Sequence, residues 1–246
     1  MSDVYATTST VVVGDDGTCL VVDPALTQDE VAALADDVAG AGWTPVAVWS
    51  THPHWDHLLD GPGLGRLPRW AAGHPASSWW RREATAERDD DPVLAARPAG
   101  APAVAALSRT VPRRYPGAPG PLSWPGPRVE VLAHDAHAPG STALLVADAG
   151  VLVAGDLLSD REIPLLDLTS PDPVGAYRSA LDALLATGAT VVVPGHGSVG
   201  DDLAARVARD RAYLDALVVG RTPDDERLGD GRNAAEHDRQ RATIGM

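Results

Sequence analysis

Between Thr51 and His57 the chain reads Thr-His-Pro-His-Trp-Asp-His, which places the metal-ligating side chains of His52, His54, Asp56 and His57 directly behind the apolar run Val46-Ala47-Val48-Trp49. In an extended backbone, side chains two apart point the same way, so His52 and His54 can grip one ion while a bend aims Asp56 and His57 at a second. Three histidines and a carboxylate this close repel as protons bind and cost stability if buried without a metal. The spacing predicts a dinuclear metal site. Three later stretches, each just past a strand-like run, supply further candidates: His137 ahead of Ala138-Pro139-Gly140-Ser141, Asp156 after Gly155, and His196 between Gly195 and Gly197.

The elements that must position these residues are legible around them. Val11-Val12-Val13, Gly14-Asp15-Asp16-Gly17 and Cys19 to Asp23 read as strand, turn and strand. Thr27 and Glu30 have capping-box spacing, and Val31, Leu34, Ala35 and Val38 recur at helical intervals until Gly40 and Gly42, which predicts a helix with one apolar face. The strand Val46 to Trp49 then carries the His52 segment at its C-terminal end, where open α/β sheets commonly place their sites. Further on come a strand Val129 to Leu132, a hairpin of Ala143 to Ala147 and Val151 to Ala154, and a helix from Pro173 to Leu185 with Asp172 as cap and Gly188 as stop. A strand Thr190 to Val193 then leads into Pro194-Gly195-His196-Gly197. The order strand, strand, helix, strand, ligand loop occurs twice, with Asp23 matching Asp156 and the His52 segment matching His196. That doubling predicts two related halves whose sheets face each other. Residues 61–127, rich in Pro, Gly, Arg and Asp, read as a loop-rich insertion with short helical candidates around Ala76 to Glu87 and Pro102 to Leu107. Leu203, Val207, Leu214 and Leu217 predict one more amphipathic helix, ended at Gly220, and residues 221–246 form a charged tail, either a surface helix or partly disordered.

A chain of 246 residues with 44% hydrophobic residues can bury a full core as one α/β domain over 1–246. Against 34 acidic residues stand 20 basic ones, all arginine, for a formal charge of −14. That charge disfavours a grip on phosphate backbones or anionic lipid, so the expected partner is a small-molecule substrate, with no nucleic acid and no membrane. Cys19 is the only cysteine, which excludes an internal disulfide, and its place in Thr18 to Val22 predicts a buried strand position and not a ligand. The segment Met1 to Tyr5 lacks a basic start and a sustained apolar stretch, and no apolar run approaches the about 20 residues of a membrane span. A cytoplasmic protein is the expectation.

The His-x-His-x-Asp-His segment, followed by a His, an Asp and a His on later strand ends, resembles the metallo-β-lactamase superfamily over residues from about 10 to 218. The resemblance implies an α/β fold of four layers, an αββα sandwich, with metals at one edge between the sheets. It also implies one metal held by His52, His54 and His137, a second held by Asp56, His57 and His196, and Asp156 bridging the two. The implied cofactors are two Zn2+, with Fe or Mn as alternatives. His134 competes with His137, but only His137 is followed by the Pro-Gly-Ser turn that the family places after its ligand; His134 is expected near the ligands or at the surface. His74 and His237 have no motif around them and are expected to be structural. Two metals about 3.5–4 Å apart lower the pKa of a shared water and give a bridging hydroxide for attack on a carbonyl carbon or a phosphorus, with Asp56 holding or relaying the proton.

Thioesters, lactones, β-lactams and phosphodiesters are all substrates of proteins resembling this one. The pair Asp56-His57 is similar to that of glyoxalase II-like thioesterases and lactonases, which tilts the expectation towards thioester or lactone hydrolysis. Glyoxalase II-like enzymes bind glutathione partly through lysine and arginine, and the absence of lysine here argues against a glutathione thioester. The alternatives are a mononuclear iron persulfide dioxygenase-like oxidoreductase, since His and Asp suit iron as well as zinc, and a β-lactam or phosphodiester hydrolase. Nuclease relatives carry a basic flexible arm with no counterpart here. Trp79-Trp80-Arg81-Arg82 with Pro112-Arg113-Arg114-Tyr115 reads as a wall over the metals or as an anchor for the insertion, and Ile163-Pro164-Leu165-Leu166 as a pocket rim or a packed loop.

Overall fold

The long strands of this chain are apolar on both faces, so each sheet has to be covered twice. A computed structural model describes residues 1–2, 4–24, 26–72, 108–109 and 113–245, and it meets that demand with four layers. Strands β1 (Thr10–Val13) and β2 (Thr18–Val22) form the predicted hairpin, and helix α1 (Gln28–Gly40) returns the chain so that β3 (Thr44–Trp49) lies parallel to β2. The start of α1 is the capping box read from the sequence: Thr27 Oγ1 accepts from the Glu30 amide at 3.3 Å, and the Glu30 carboxylate accepts from the Thr27 amide at 2.9 Å. Two short strands, β4 (Leu59–Asp60) and β6 (Ser108–Arg109), pair with each other. Strands β5 (Arg69–Ala71) and β7 (Arg113–Arg114) extend the first sheet to the order β1-β2-β3-β5-β7. Part of the 61–127 segment is therefore sheet, in strands too short for a period of two to reveal. The helical candidates at 76–87 and 102–107, His74, and Trp79 to Arg82 lie outside the described residues.

The second sheet repeats the plan. Its strands β8 (Gly120–Pro121), β9 (Val129–His134), β10 (Ser141–Val146), β11 (Val151–Gly155) and β12 (Val191–Pro194) run in the order β12-β11-β10-β9-β8. The hairpin β10–β11 is followed by α2 (Pro173–Ala186), after which β12 lies parallel to β11, as β3 does to β2. Helix α2 starts where predicted, with Asp172 Oδ1 accepting from the Gly175 amide at 2.9 Å. Helices α3 (Leu203–Val218) and α4 (Gly231–Ile244) close the described chain.

Alternation sorts the side chains into three cores. Leu20, Val22 and Trp49 of the first sheet meet Val131, Leu144 and Val153 of the second between the sheets. Val21 and Val48 point the other way, against Ala35 of α1. Ala143, Leu152 and Ala154 lie under Tyr177 and Leu181 of α2 and Leu214 of α3. The result is the αββα sandwich, in which each such large side chain contributes about 1.5–3 kcal/mol by leaving water. Cys19 is buried in β2. Tyr115 also belongs to the inter-sheet core, 5.9 Å from the Trp49 ring and 5.7 Å from that of Trp70, while Arg113 and Arg114 are exposed. Tyr115 thus serves the core between the sheets.

The charged C-terminal region packs by its polar residues. Buried Arg227 donates from Nη1 to the carbonyls of Ser159 and Glu162 and to Asp210 Oδ1, at 3.0, 2.8 and 2.8 Å. On α4, Gln240 both donates to the Pro164 carbonyl and accepts from the Leu166 amide, and His237 Nδ1 lies 3.1 Å from the Tyr213 hydroxyl. These bonds brace the segment 157–168 that follows β11. Among the described residues no helix is long and apolar enough to cross a membrane.

Candidate metal centre

Every candidate ligand sits just past the C-terminal end of a strand: His52 to His57 after β3, His137 after β9, Asp156 after β11 and His196 after β12. Within the His52 segment a single 3-10 turn, Trp55–His57, breaks the extended backbone of His54 and brings Asp56 and His57 into a second group, with the His57 ring centroid still 4.0 Å from that of His52. The seven side chains predicted from the sequence all converge, in two groups.

In the first group, His52 Nε2 lies 3.1 Å from His54 Nδ1, and His137 Nε2 lies 2.8 Å from the same atom. Asp156 Oδ2 is 3.3 Å from both His52 Nε2 and His137 Nε2. The far nitrogens of two rings are engaged: His137 Nδ1 donates to the Leu165 carbonyl at 2.8 Å, and His52 Nδ1 faces Thr51 Oγ1 at 3.0 Å. Such contacts fix the tautomer and turn the Nε2 lone pairs inward. In the second group, Asp56 Oδ2 lies 3.5 Å from His57 Nε2 and 3.3 Å from His196 Nε2. Asp156 reaches this group too, with Oδ1 3.2 Å from His57 Nε2 and Oδ2 3.2 Å from His196 Nε2. The outer nitrogen of His196 bonds the Tyr5 carbonyl at 3.0 Å.

Fully buried His57 and the Oδ1 atom of Asp156 have no well-aligned hydrogen-bond partner, although His57 Nδ1 is only 3.0 Å from Asp23 Oδ2. Buried polar atoms without partners are costly, and a cation between them would satisfy them. The nitrogen-rich first group and the mixed second group both suit a divalent transition metal.

The two groups differ in proton affinity. Burial, helped by nearby His57, pushes His52 down to about 4, and burial with His137 beside it holds His54 well below the usual range. Burial also opposes charge on His57 and His196, yet the carboxylates, Asp156 foremost, outweigh it and raise both well above 6.5. The same attraction overcomes burial at Asp156 and Asp56 and keeps both ionised at neutral pH. His134, pushed down to about 3 by burial and then by His137, lies beside the ligands and in neither group.

Sequence reasoning passed over three supporting residues. Asp23, matched to Asp156 by position, accepts from the Thr51 amide at 2.8 Å and from Thr51 Oγ1 at 2.6 Å and flanks His57. It holds a left-handed φ of 47°, rare for a non-glycine and a mark of local strain at a site; the doubled strand order was the signal that could have found it. Tyr5 has a φ of 57° and presents its carbonyl to His196. Glu162, one residue before the predicted rim, is buried and groups with Asp156 and His196. Of that rim, Ile163 and Leu166 are buried, and Leu165 with Leu166 lines a cavity of about 640 Å³ that also opens onto His54, Asp56 and Arg232.

A family model described as the metallo-beta-lactamase superfamily matches residues 3–196, ending before α3 and α4. Among solved structures, a metallo-beta-lactamase family protein of Thermus thermophilus is similar at 25% identity and a TM-score of 0.64, over 87% of this chain and 76% of that one. The protein TTHA1623, solved in a di-iron-bound form, is 25% identical with a TM-score of 0.57, over 82% of this chain and 93% of its own. The BLEG-1 B3 metallo-beta-lactamase shares the fold at 23% identity and a TM-score of 0.53, over 79% and 88% of the two chains. No curated protein matches the chain.

Proposed function

The chain belongs to the metallo-beta-lactamase superfamily, whose members are mostly metal-dependent hydrolases, and on that premise we propose that it hydrolyses a small ester-like substrate, a thioester or a lactone, at a two-metal centre. The observation that carries this reading is Asp156, whose two oxygens lie within 3.3 Å of ring nitrogens from both groups. One carboxylate in contact with both groups is what a shared ligand requires. His52, His54 and His137 would hold one ion, Asp56, His57 and His196 the other. Bound there, zinc or iron would acidify a water and polarise the substrate oxygen.

The remaining work falls to the chain. Asp56 lines the cavity and is ionised, so it can accept a hydrogen bond from the attacking water and orient it. Leu165, Leu166 and Trp55 line the same cavity and can offer apolar surface to an acyl group. A cavity of about 640 Å³ lies in the range of small-molecule sites. Similarity to a protein in a di-iron-bound form makes iron the second metal to test.

Metal analysis of purified protein by plasma mass spectrometry, paired with hydrolysis assays on thioester and lactone panels, tests the proposal. The expected result is about two metal ions per chain with turnover. About one iron per chain, with oxygen uptake and no hydrolysis, would overturn it in favour of the dioxygenase-like reading.

A further inference from the structure

We propose that Glu162 is a further ligand at the second metal position, which it makes oxygen-rich and selective for a harder cation such as Mn2+, and that Arg232 competes with the metal for its carboxylate. This rests on the two-metal reading above. Three observations carry it. A Glu162 carboxylate oxygen lies within 4.8 Å of ligand atoms on both Asp156 and His196, and the side chain is buried in the wall of the same cavity as Asp56. Its backbone is held towards His196 from two sides: Ser159 Oγ accepts from the Glu162 amide at 2.9 Å while donating to the His196 carbonyl at 2.7 Å, and Arg227 Nη1 donates to the Glu162 carbonyl at 2.8 Å. The side chain is thus delivered to the ligand group by a segment that is hydrogen-bonded through both its amide and its carbonyl.

The third observation is the partner. Glu162 forms an ion pair with Arg232 of α4, whose guanidinium carbon stands 4.3 Å over the Tyr5 ring. Tyr5 in turn presents its carbonyl to His196. A carboxylate has two oxygens and about four acceptor sites, so it can face the guanidinium and a metal ion together, but the two cations repel across it. Arg232 therefore weakens what Glu162 adds. With Glu162 engaged, the second position draws on Asp56, Asp156 and Glu162 as well as His57 and His196, whereas the first has Asp156 alone beside its histidines. Oxygen-rich sets favour hard cations, and nitrogen-rich sets favour zinc.

The test is equilibrium titration of metal-free full-length protein with Mn2+, read by electron paramagnetic resonance, and with Zn2+ against a chromophoric chelator. Glu162→Gln is expected to weaken Mn2+ about tenfold or more at the second position while Zn2+ at the first stays within about twofold. Arg232→Gln should move Mn2+ affinity the other way. Unchanged Mn2+ affinity in Glu162→Gln, or equal weakening by both substitutions, would overturn the role of Glu162 and leave the two-metal reading standing. Wild-type protein that takes up neither ion would overturn both. Circular dichroism separates a loss of ligand from a loss of fold.

Discussion

Both groups of the centre draw on the loop after β3 and on strand ends of the second sheet, yet they meet a cation in opposite states. In the first, His52 and His54 are kept neutral by burial, with Asp156 the single carboxylate in the group. In the second, His57 and His196 stand among Asp56 and Asp156, with Asp23 behind His57, and hold their protons. One loop of six residues thus feeds two different electrostatic environments. A metal finds lone pairs ready on one side and must displace protons on the other.

Asp156 is where the comparison can be broken most sharply. Because it touches both groups, Asp156→Ala is expected to abolish turnover and empty both positions, as read by metal analysis, with the fold retained; His54→Ala should also abolish turnover but empty the first position preferentially. Normal hydrolysis by either variant would falsify the assignment. Next in size, Arg227→Ala leaves Asp210 buried and unpaired and removes the brace on 157–168, and is expected to cost about 3–5 kcal/mol in urea unfolding. A change below about 1 kcal/mol would mean that the segment stands without it.

A smaller effect sharpens the contrast itself. Asp23→Asn removes the charge flanking His57 and should weaken the second position by about 10–100-fold in chelator competition, with the larger share of the loss there and not at the first. Smallest per step is the pH response. The raised pKa values of His57 and His196 mean that their contribution to stability is full below about pH 6.5 and is lost as pH rises through the folded values. Metal affinity at the second position should therefore climb with pH through neutrality until the folded values are passed, by roughly tenfold per unit for each proton displaced. For His52 the sign reverses: its contribution is present above about pH 6.5 and fades as pH falls towards about 4, so this ligand sets no such climb at the first position near neutrality. Parallel pH slopes for the two positions would remove the asymmetry.

What could be read from the sequence follows how local the signal is. Thr27 and Glu30 announced α1 because a capping box is a four-residue device, and the ligands of the His52 segment were legible because six residues contain them. Asp156 and His196 were found by pattern and family resemblance, and the structure brings them to the cluster. Glu162 carried no signal, since its meaning comes from His196, far along the chain, and from Arg232. The charged stretch after Gly220 reads as surface for the same reason. Asn233 donates to the Arg161 carbonyl and Gln240 to that of Pro164, partners no local window contains. Strands β5 and β7 escaped because two or three residues cannot show a period.

Gly195 has no room for a side chain, because the Asp156 carboxylate occupies the space its Cβ would fill. By contrast, residues 219–222 between α3 and α4 are exposed. The ligands end at His196, while Arg232 and Arg239 on the cavity wall come after this exposed join. An exchange at this join would keep the seven His and Asp side chains, but it would replace Arg227, Arg232 and Gln240, which hold the segment 157–168 beside them. The ligand loops and the C-terminal helix therefore have to change together, because whatever is exchanged after residue 222 reaches Glu162 through Arg227 and Arg232.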